Sequence, residues 1–535
     1  MSEEFDYIVV GAGSAGCVMA NRLSENGKYS VAVVEAGGMD NWIWFHIPVG
    51  YLFAIGNPRA DWCFKTEPDP GLNGRVLGYP RGKVIGGSSA INAMLYLRGQ
   101  REDYDGWRDL GLDGWGWDDV LPLFIKHENS HRGASRYHGV GGEWTVEARR
   151  TSWEVLDTFI DAAEQAGIPR TDDYNTGDNG GVSYFEVNQK RGRRWSSARG
   201  FLKPALKRSN LKLITGALTE KVLLDGKKAR GIVILRNGQR ETLKARKEVI
   251  LSAGAVASPA ILERSGIGDG ARLKTLGVET LHHLPGVGEN LQDHLQLRMI
   301  YKVHGVETMN VVYQSLFRRA RMGLEYALFR RGPLTMAPSQ QGAFAKTDPR
   351  HATPNAEFHI QPLSLEKFGE PMHSFGAITV SICNLRPSSR GGVHARSLDP
   401  NDAPIIAPHY LSHTEDQVVA TEAIRLARKV MGQQAMARFK PEEYKPGAHL
   451  TEDGQLVKAA GDIGTTIFHP VGTAKMGVES DPMAVTDGRL RVRGIEGLRV
   501  IDASVMPRIT SGNTNSPTIM IAEKGAGMVL EDANA

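Results

Sequence analysis

Residues 5–38 read FDYIVVGAGSAGCVMANRLSENGKYSVAVVEAGG, and no other stretch constrains the fold as strongly. Tyr7–Val10 is a short apolar run suited to a strand covered on both faces. The turn that follows carries Gly11, Gly13 and Gly16, with Ser14 and Ala15 between them. Cys17, Val18, Ala20 and Leu23 then repeat at helical spacing, up to a stop at Asn26-Gly27. A second apolar strand, 31–34, ends in Glu35 beside Ala36. Gly11 permits a tight turn, Gly13 lets a pyrophosphate approach the backbone, and Gly16 lets the helix pack on the strand. The helix start offers unpaired N–H groups to phosphate. Glu35 falls 19 residues after Gly16, where an acid accepts from ribose hydroxyls. The unit predicts dinucleotide binding, and an acid at that position disfavours NADP.

With 535 residues the chain exceeds what one hydrophobic core supports, so two or more domains are expected. A net charge of +4 is too weak to predict a nucleic-acid partner, and no long basic block supports one, so none is expected. The densest cluster, Lys190-Arg191-Gly192-Arg193-Arg194, reads as a solvated loop, with phosphate or a lipid headgroup as the alternative partner. Cys17, Cys63 and Cys383 have no CxxC spacing, so neither a disulfide framework nor a metal site is expected. The longest uncharged apolar stretch, 249–262, is 14 residues and too short for a bilayer. No signal peptide is read at the N-terminus. A cytoplasmic location follows as an expectation, with attachment to the cytoplasmic face of a membrane left open.

Five further strings carry chemistry. Residues 80–99 read PRGKVIGGSSAINAMLYLRG, a Gly-rich, donor-rich turn followed by a helical apolar pattern. Residues 254–268 read GAVASPAILERSGIG, and 286–294 read GVGENLQDH, ending in His294. Near the C-terminus come FHPVGTAKMG, containing His469, and VIDASVMPRITSGNTNSPTIMIAEK, containing Asn513. Read alone, His469 is an ordinary core histidine.

Together these strings resemble the glucose–methanol–choline (GMC) oxidoreductases, in particular the bacterial FAD-dependent alcohol and choline dehydrogenase branch. The resemblance implies an α/β and α+β fold: a discontinuous Rossmann-like FAD domain (1–155, 215–305 and 460–535) and an antiparallel-sheet substrate domain (156–214 and 306–459). It implies FAD contacts at Arg81, Gly82, Gly86, Gly87, Ser88, Asn92 and Ala93 in the first signature. Further FAD contacts follow at Val222, Ala253, Asp502 and Ala503, and at Asn513, Asn515 and Thr518 around a helix beginning near Pro517. Family members that bind FAD covalently use a histidine where this chain has Ile91, so FAD is expected to be non-covalent.

The family's reaction removes a proton from an alcohol oxygen and a hydride from its carbon, the latter to flavin N5. Histidine titrates near neutrality and suits the base. The resemblance assigns that role to His469, with Asn513 holding the substrate oxygen. His294 reads as structural, and His282-His283 as partly exposed. The substrate is expected to be a primary alcohol. Where choline dehydrogenases read Glu-Ser-Gly-Gly-Phe, this chain reads Gln340-Gln341-Gly342-Ala343-Phe344, which argues for a neutral alcohol over a quaternary ammonium. A quinone, a cytochrome or O2 all remain open as electron acceptor, so an oxidase forming H2O2 is an alternative. A lyase or photodecarboxylase on the same fold is a second. A homo-oligomer is compatible with everything above.

Overall fold

The computed structural model describes residues 3–366 and 370–534. The opening unit folds as strand β1 (Glu3–Val10), helix α1 (Ser14–Ser24) and strand β2 (Val31–Glu35). Strands β3 (Leu211–Thr215), β4 (Ala217–Asp225), β5 (Lys228–Arg236) and β6 (Gln239–Leu251) complete most of the first sheet, in the order β3-β2-β1-β6-β5-β4. The short strand Leu498–Val500 adds in parallel to the end of β6. β3, β2, β1 and β6 run parallel, so Ile8, Val9, Val31 and Val33 are covered on both faces and fully shielded. Helix α2 (Gly254–Arg264) follows β6 after a two-residue turn.

The second sheet is antiparallel. Strands β7 (Leu295–Lys302), β8 (Gln341–Ala345), β9 (Ala356–Gln361) and β10 (Ala377–Asn384) pair in the order β7-β10-β9-β8. Between β7 and β8 lies the surface helix α3 (Leu316–Phe329). Side chains alternate along β9. Ala356, Phe358 and Ile360 join an apolar core shared with helix α4 (Thr414–Met431). Glu357, His359 and Gln361 point to the opposite side, toward the first sheet's strand ends. That alternation puts polar groups over the cavity and apolar groups under it.

Sheet membership crosses two of the expected boundaries. Leu211–Thr215 pairs with β2 in the first sheet, and Leu295–Lys302 belongs to the second. A short apolar strand does not announce its partner sheet.

The apolar pattern after Gly86-Gly87-Ser88-Ser89 does not become a helix. A single turn spans Gly87–Ala90, and residues 91–100 then run as irregular backbone. Asn92 Oδ1 accepts the Met94 N–H at 3.0 Å, and Met94 sits at φ 63°. A side-chain acceptor two residues upstream offers the backbone an alternative to the helical bond.

Candidate active site

One long cavity runs between the strand ends of the first sheet and the polar side of the second. Three helix N-termini converge on it: α1 at Ser14, α2 at Gly254, and α5 (Asn515–Asn534), which starts two residues before the expected Pro517. Ser14 Oγ donates to Asn515 Oδ1 at 2.6 Å and ties two of them together. Their unpaired N–H groups make this wall suited to anionic groups.

Most of the expected cofactor residues line this cavity. Gly11, Gly13, Ser14, Ala15, Glu35 and Ala36 form one wall. Arg81, Gly82, Gly87, Ser88, Asn92 and Ala93 form another, and Ala253, Asp502, Ala503, Asn513, Asn515 and Thr518 close it. Gly16 and Gly86 lie behind the wall. A Cβ on Gly16 would come within 1.8 Å of the Gly11 carbonyl oxygen, so its place is in helix–strand packing. Gly86, at φ 90°, donates its N–H to the Ala12 carbonyl at 2.6 Å. Val222 is off the cavity, its N–H bound to Ser265 Oγ at 2.8 Å, and Ala217, Leu218 and Thr219 of the same strand line the wall instead.

Glu35 is buried. Its two carboxylate oxygens accept the N–H groups of Ala12 (2.9 Å) and Gly37 (2.8 Å), and burial pushes its pKa up to about 7. Asp502 accepts from Gly254 N–H, from Ser258 Oγ and from Ser504, pinning the start of α2 to the end of the strand Leu498–Val500.

At the far end sits His469, only 6% exposed. Burial, then the facing imidazoles of His294 and His359 and the Arg81 cation, hold it well below the usual histidine pKa. It is neutral at neutral pH. Its Nε2 lies 2.9 Å from Asn513 Nδ2, and its Nδ1 lies 3.1 Å from His294 Nδ1. The proton positions follow by elimination. His294 Nε2 is 3.0 Å from the Leu385 carbonyl, which can only accept, so that nitrogen carries hydrogen. Burial lowers the His294 pKa and keeps it neutral, so its Nδ1 accepts from His469 Nδ1–H. His469 Nε2 is thereby left with its lone pair facing Asn513 and the cavity.

The backbone under His469 is held as firmly. Asp293 Oδ1 accepts the His469 N–H at 2.8 Å, while Asp293 Oδ2 accepts from Tyr79, Tyr410 and Thr466 hydroxyls. Phe468 occupies the left-handed region at φ 71°, where a bulky residue is strained. Thr466 Oγ1 takes its N–H, and Arg81 Nη2 donates to its carbonyl at 2.6 Å. Sequence reading did not single out Asp293, whose carboxylate holds this backbone. His294 was expected to be structural, yet the fold puts it directly behind His469. The string QDH offers no local signal, because its partner lies 175 residues away.

The second sheet and the turn before β8 contribute Gln296, Ser339, His359 and Gln361 to the wall near this end. His359 and Glu357 lie 3.1 Å apart without hydrogen-bond alignment, and neither His359 ring nitrogen has a hydrogen-bond partner. His282 is half-buried with its Nε2 on the Arg493 carbonyl, and His283 is exposed; neither reaches the cavity.

The residues fit a flavin dinucleotide. Gly13 and Gly87 face each other so closely that a Cβ on Gly87 would fall 2.7 Å from Gly13 Cα. Asn515 Nδ2, Asn513 Oδ1 and Ser516 Oγ are shielded polar atoms without hydrogen-bond partners among the described residues, around the start of α5. A bound polar ligand supplies such partners. Ile91 lines the cavity and offers no atom for a covalent link.

Comparison with known proteins agrees with this geometry. Family models described as GMC oxidoreductase match residues 5–296 and 387–522. An alcohol dehydrogenase [acceptor] of Pseudomonas putida is 41% identical, with 98% of this chain and 96% of that protein covered. An oxygen-dependent choline dehydrogenase of Brucella anthropi is 39% identical, with the same 98% and 96% coverage. Among solved structures, pyridoxine 4-oxidase from Mesorbium loti superposes with a TM-score of 0.88 at 30% identity, covering 98% of each chain.

Proposed function

The chain belongs to the GMC oxidoreductase family, and on that premise we propose that it oxidises a neutral primary alcohol to the aldehyde, with His469 Nε2 as the base. The enzyme is an FAD-dependent oxidoreductase acting on alcohols. The observation that carries the assignment of the base is the hydrogen-bond direction through Leu385, His294 and His469.

FAD bound in the cavity supplies the two-electron acceptor for the hydrogen on the alcohol carbon. The rest is the work of this chain. The glycine turn and the starts of α1 and α5 would hold the pyrophosphate, and Glu35 would accept from the adenosine ribose. With Ile91 in the first signature, the cofactor is held without a covalent bond. The alcohol O–H donates to His469 Nε2, displacing the Asn513 amide from it. Asn513 then donates an N–H to the alcohol oxygen as negative charge develops there. His294 steadies the imidazole as it takes the proton. Charging His469 costs free energy in so buried a site, so the proton is held weakly and passes on readily.

A neutral substrate is favoured by the wall near His469. Among the described residues, the second sheet and its preceding turn offer this wall two amides, a hydroxyl and an imidazole, and no carboxylate for a quaternary ammonium. An electron acceptor is implied by the name of the alcohol dehydrogenase relative, and a quinone or comparable carrier is the acceptor proposed here, with O2, which the name of the choline dehydrogenase relative carries, as the alternative. The test is anaerobic flavin bleaching against a panel of alcohols, choline included, followed by turnover in air with and without a dye acceptor. Bleaching by neutral primary alcohols and dye-dependent turnover are expected. Bleaching by choline alone would overturn the substrate class, and fast peroxide formation without dye would overturn the acceptor.

A further inference from the structure

Away from the cavity, α3 carries its apolar side facing outward. The helix is held down by Tyr326, its one buried residue, and by Met322. At 3.6 residues per turn these two share a side of the helix, and Phe317, Leu324 and Leu328 share the opposite one. Those three side chains are 78%, 61% and 63% exposed, with Leu316 at 76% and Phe329 at 57%. An ordinary surface helix has the reverse polarity.

The surroundings of this apolar side are basic. Between residues 313 and 331 stand Arg318, Arg319, Arg321, Arg330 and Arg331, against one acid, Glu325. Arg318 also pairs with Glu307 at 2.8 Å. The basic string 190–194 packs against the helix: Tyr326 donates its hydroxyl to the Gly192 carbonyl, and a Cβ on Gly192 would meet the Arg330 carbonyl at 2.3 Å. Lys190, Arg191 and Arg193 are exposed there. A third segment joins the patch. The turn Pro333–Thr335 after α3 packs on Pro48–Gly50, beside exposed Ile43 and Phe53.

We propose that this face docks peripherally on an anionic phospholipid surface. The outward apolar side chains would enter the headgroup–acyl boundary, and the arginines and Lys190 would meet lipid phosphates. Charge selects this occupant over a second copy of the chain. A twofold contact through α3 sets the same arginines against themselves. The segments that carry the patch also build the cavity wall, through Tyr51 and Ile55 on one side and Pro338 and Ser339 on the other. Docking therefore sets that wall beside the bilayer, where apolar alcohols and lipid-soluble electron carriers are dissolved. The proposal uses no residue of the catalytic centre and stands or falls separately from the reaction.

The test is sedimentation of the FAD-loaded full chain with vesicles of equal parts phosphatidylglycerol and phosphatidylethanolamine, and with pure phosphatidylcholine vesicles. Binding to the anionic vesicles alone is expected, weakening as salt rises past about 0.15 M. The variants Phe317→Ser/Leu324→Ser/Leu328→Ser and Arg319→Glu/Arg321→Glu/Arg331→Glu should each stay in the supernatant, with partition roughly a hundredfold weaker for the charge variant. Both should keep dye-linked turnover of a water-soluble alcohol. The charge variant removes no buried apolar side chain, only the surface contacts of Arg319 over Tyr313 and Arg331 over Phe329, and keeps the test sharp if the apolar variant folds poorly. Wild-type protein left in the supernatant with anionic vesicles would overturn the proposal. A dimer by light scattering that the apolar variant dissolves, without vesicle binding, would assign the face to a second copy instead.

Discussion

His294 Nδ1 lies 3.1 Å from His469 Nδ1, and the carbonyl of Leu385 on the far side of His294 sets which ring donates to which. The imidazole that faces the cavity therefore presents its lone pair at Nε2. His294 touches neither substrate nor cofactor in this account and acts as a positioning residue.

Removing that support has a defined signature. In His294→Phe nothing accepts from His469 Nδ1–H, and the ring can turn or change tautomer. The rate of flavin reduction by alcohol should fall about ten- to a hundredfold, part of the full effect of a lost base, with little change in substrate KM. His294→Asn, which can still accept, should recover part of the rate. A His294→Phe enzyme with a normal reduction rate and pH profile would remove His294 from the mechanism.

The pH dependence follows from the direction of the His469 shift. Its pKa is held well below the usual histidine value, so the base is already free at neutral pH. The profile of kcat/KM should be flat through neutrality and fall only on the acid side, below about pH 6.5. Stability shares that sign. A buried neutral histidine binds fewer protons than an unfolded one, so the fold loses stability as pH drops below the unfolded value. A basic limb centred above pH 7 and lost in His469→Ala would contradict this reading.

Glu35 titrates in the other direction. Its pKa is raised to about 7 by burial, so its contribution to the cofactor-free fold is present at low pH and lost as pH rises through about 7. Ribose hydroxyls donate to the ionised form and favour it. FAD affinity should therefore rise with pH, by up to about tenfold per unit below pH 7, and level off above it. Glu35→Gln should bind FAD more weakly and lose this slope. Equilibrium titration of the cofactor-free protein with FAD across pH measures both.

Two glycines of one motif should fail differently. A Cβ on Gly13 finds no neighbour closer than 4.0 Å, so Gly13→Ala should fold normally and lose FAD affinity, because the methyl protrudes into cofactor space. A Cβ on Gly16 would sit 1.8 Å from the Gly11 carbonyl, so Gly16→Ala should lose stability by a few kcal/mol or fail to fold. Thermal melts of the cofactor-free variants separate the two outcomes.

Local chemistry was the legible part of this sequence. Strand, glycine turn, helix, strand and Glu35 lie within one short segment, and each has a physical reason visible at its own position. The HPVGT string with Asn513 was legible through family likeness alone, since nothing in the string distinguishes a base from a core histidine. Long-range pairings were not legible. Asp293 gathers Tyr79, Tyr410, Thr466 and the His469 N–H from three distant segments, and no periodicity reports that. The strand Leu211–Thr215 reads as apolar wherever it docks. The strained φ of Phe468 has no composition signal, because the sequence places a bulky aromatic where backbone geometry favours glycine.

The central claim is that His469 Nε2 takes the alcohol proton. Anaerobic stopped-flow reduction of the flavin by a saturating primary alcohol, in wild type and His469→Ala with FAD content matched, tests it most directly. The account predicts a reduction rate lower by roughly two to four orders of magnitude in the variant. A His469→Ala enzyme that retains FAD and is reduced at close to the wild-type rate would contradict it.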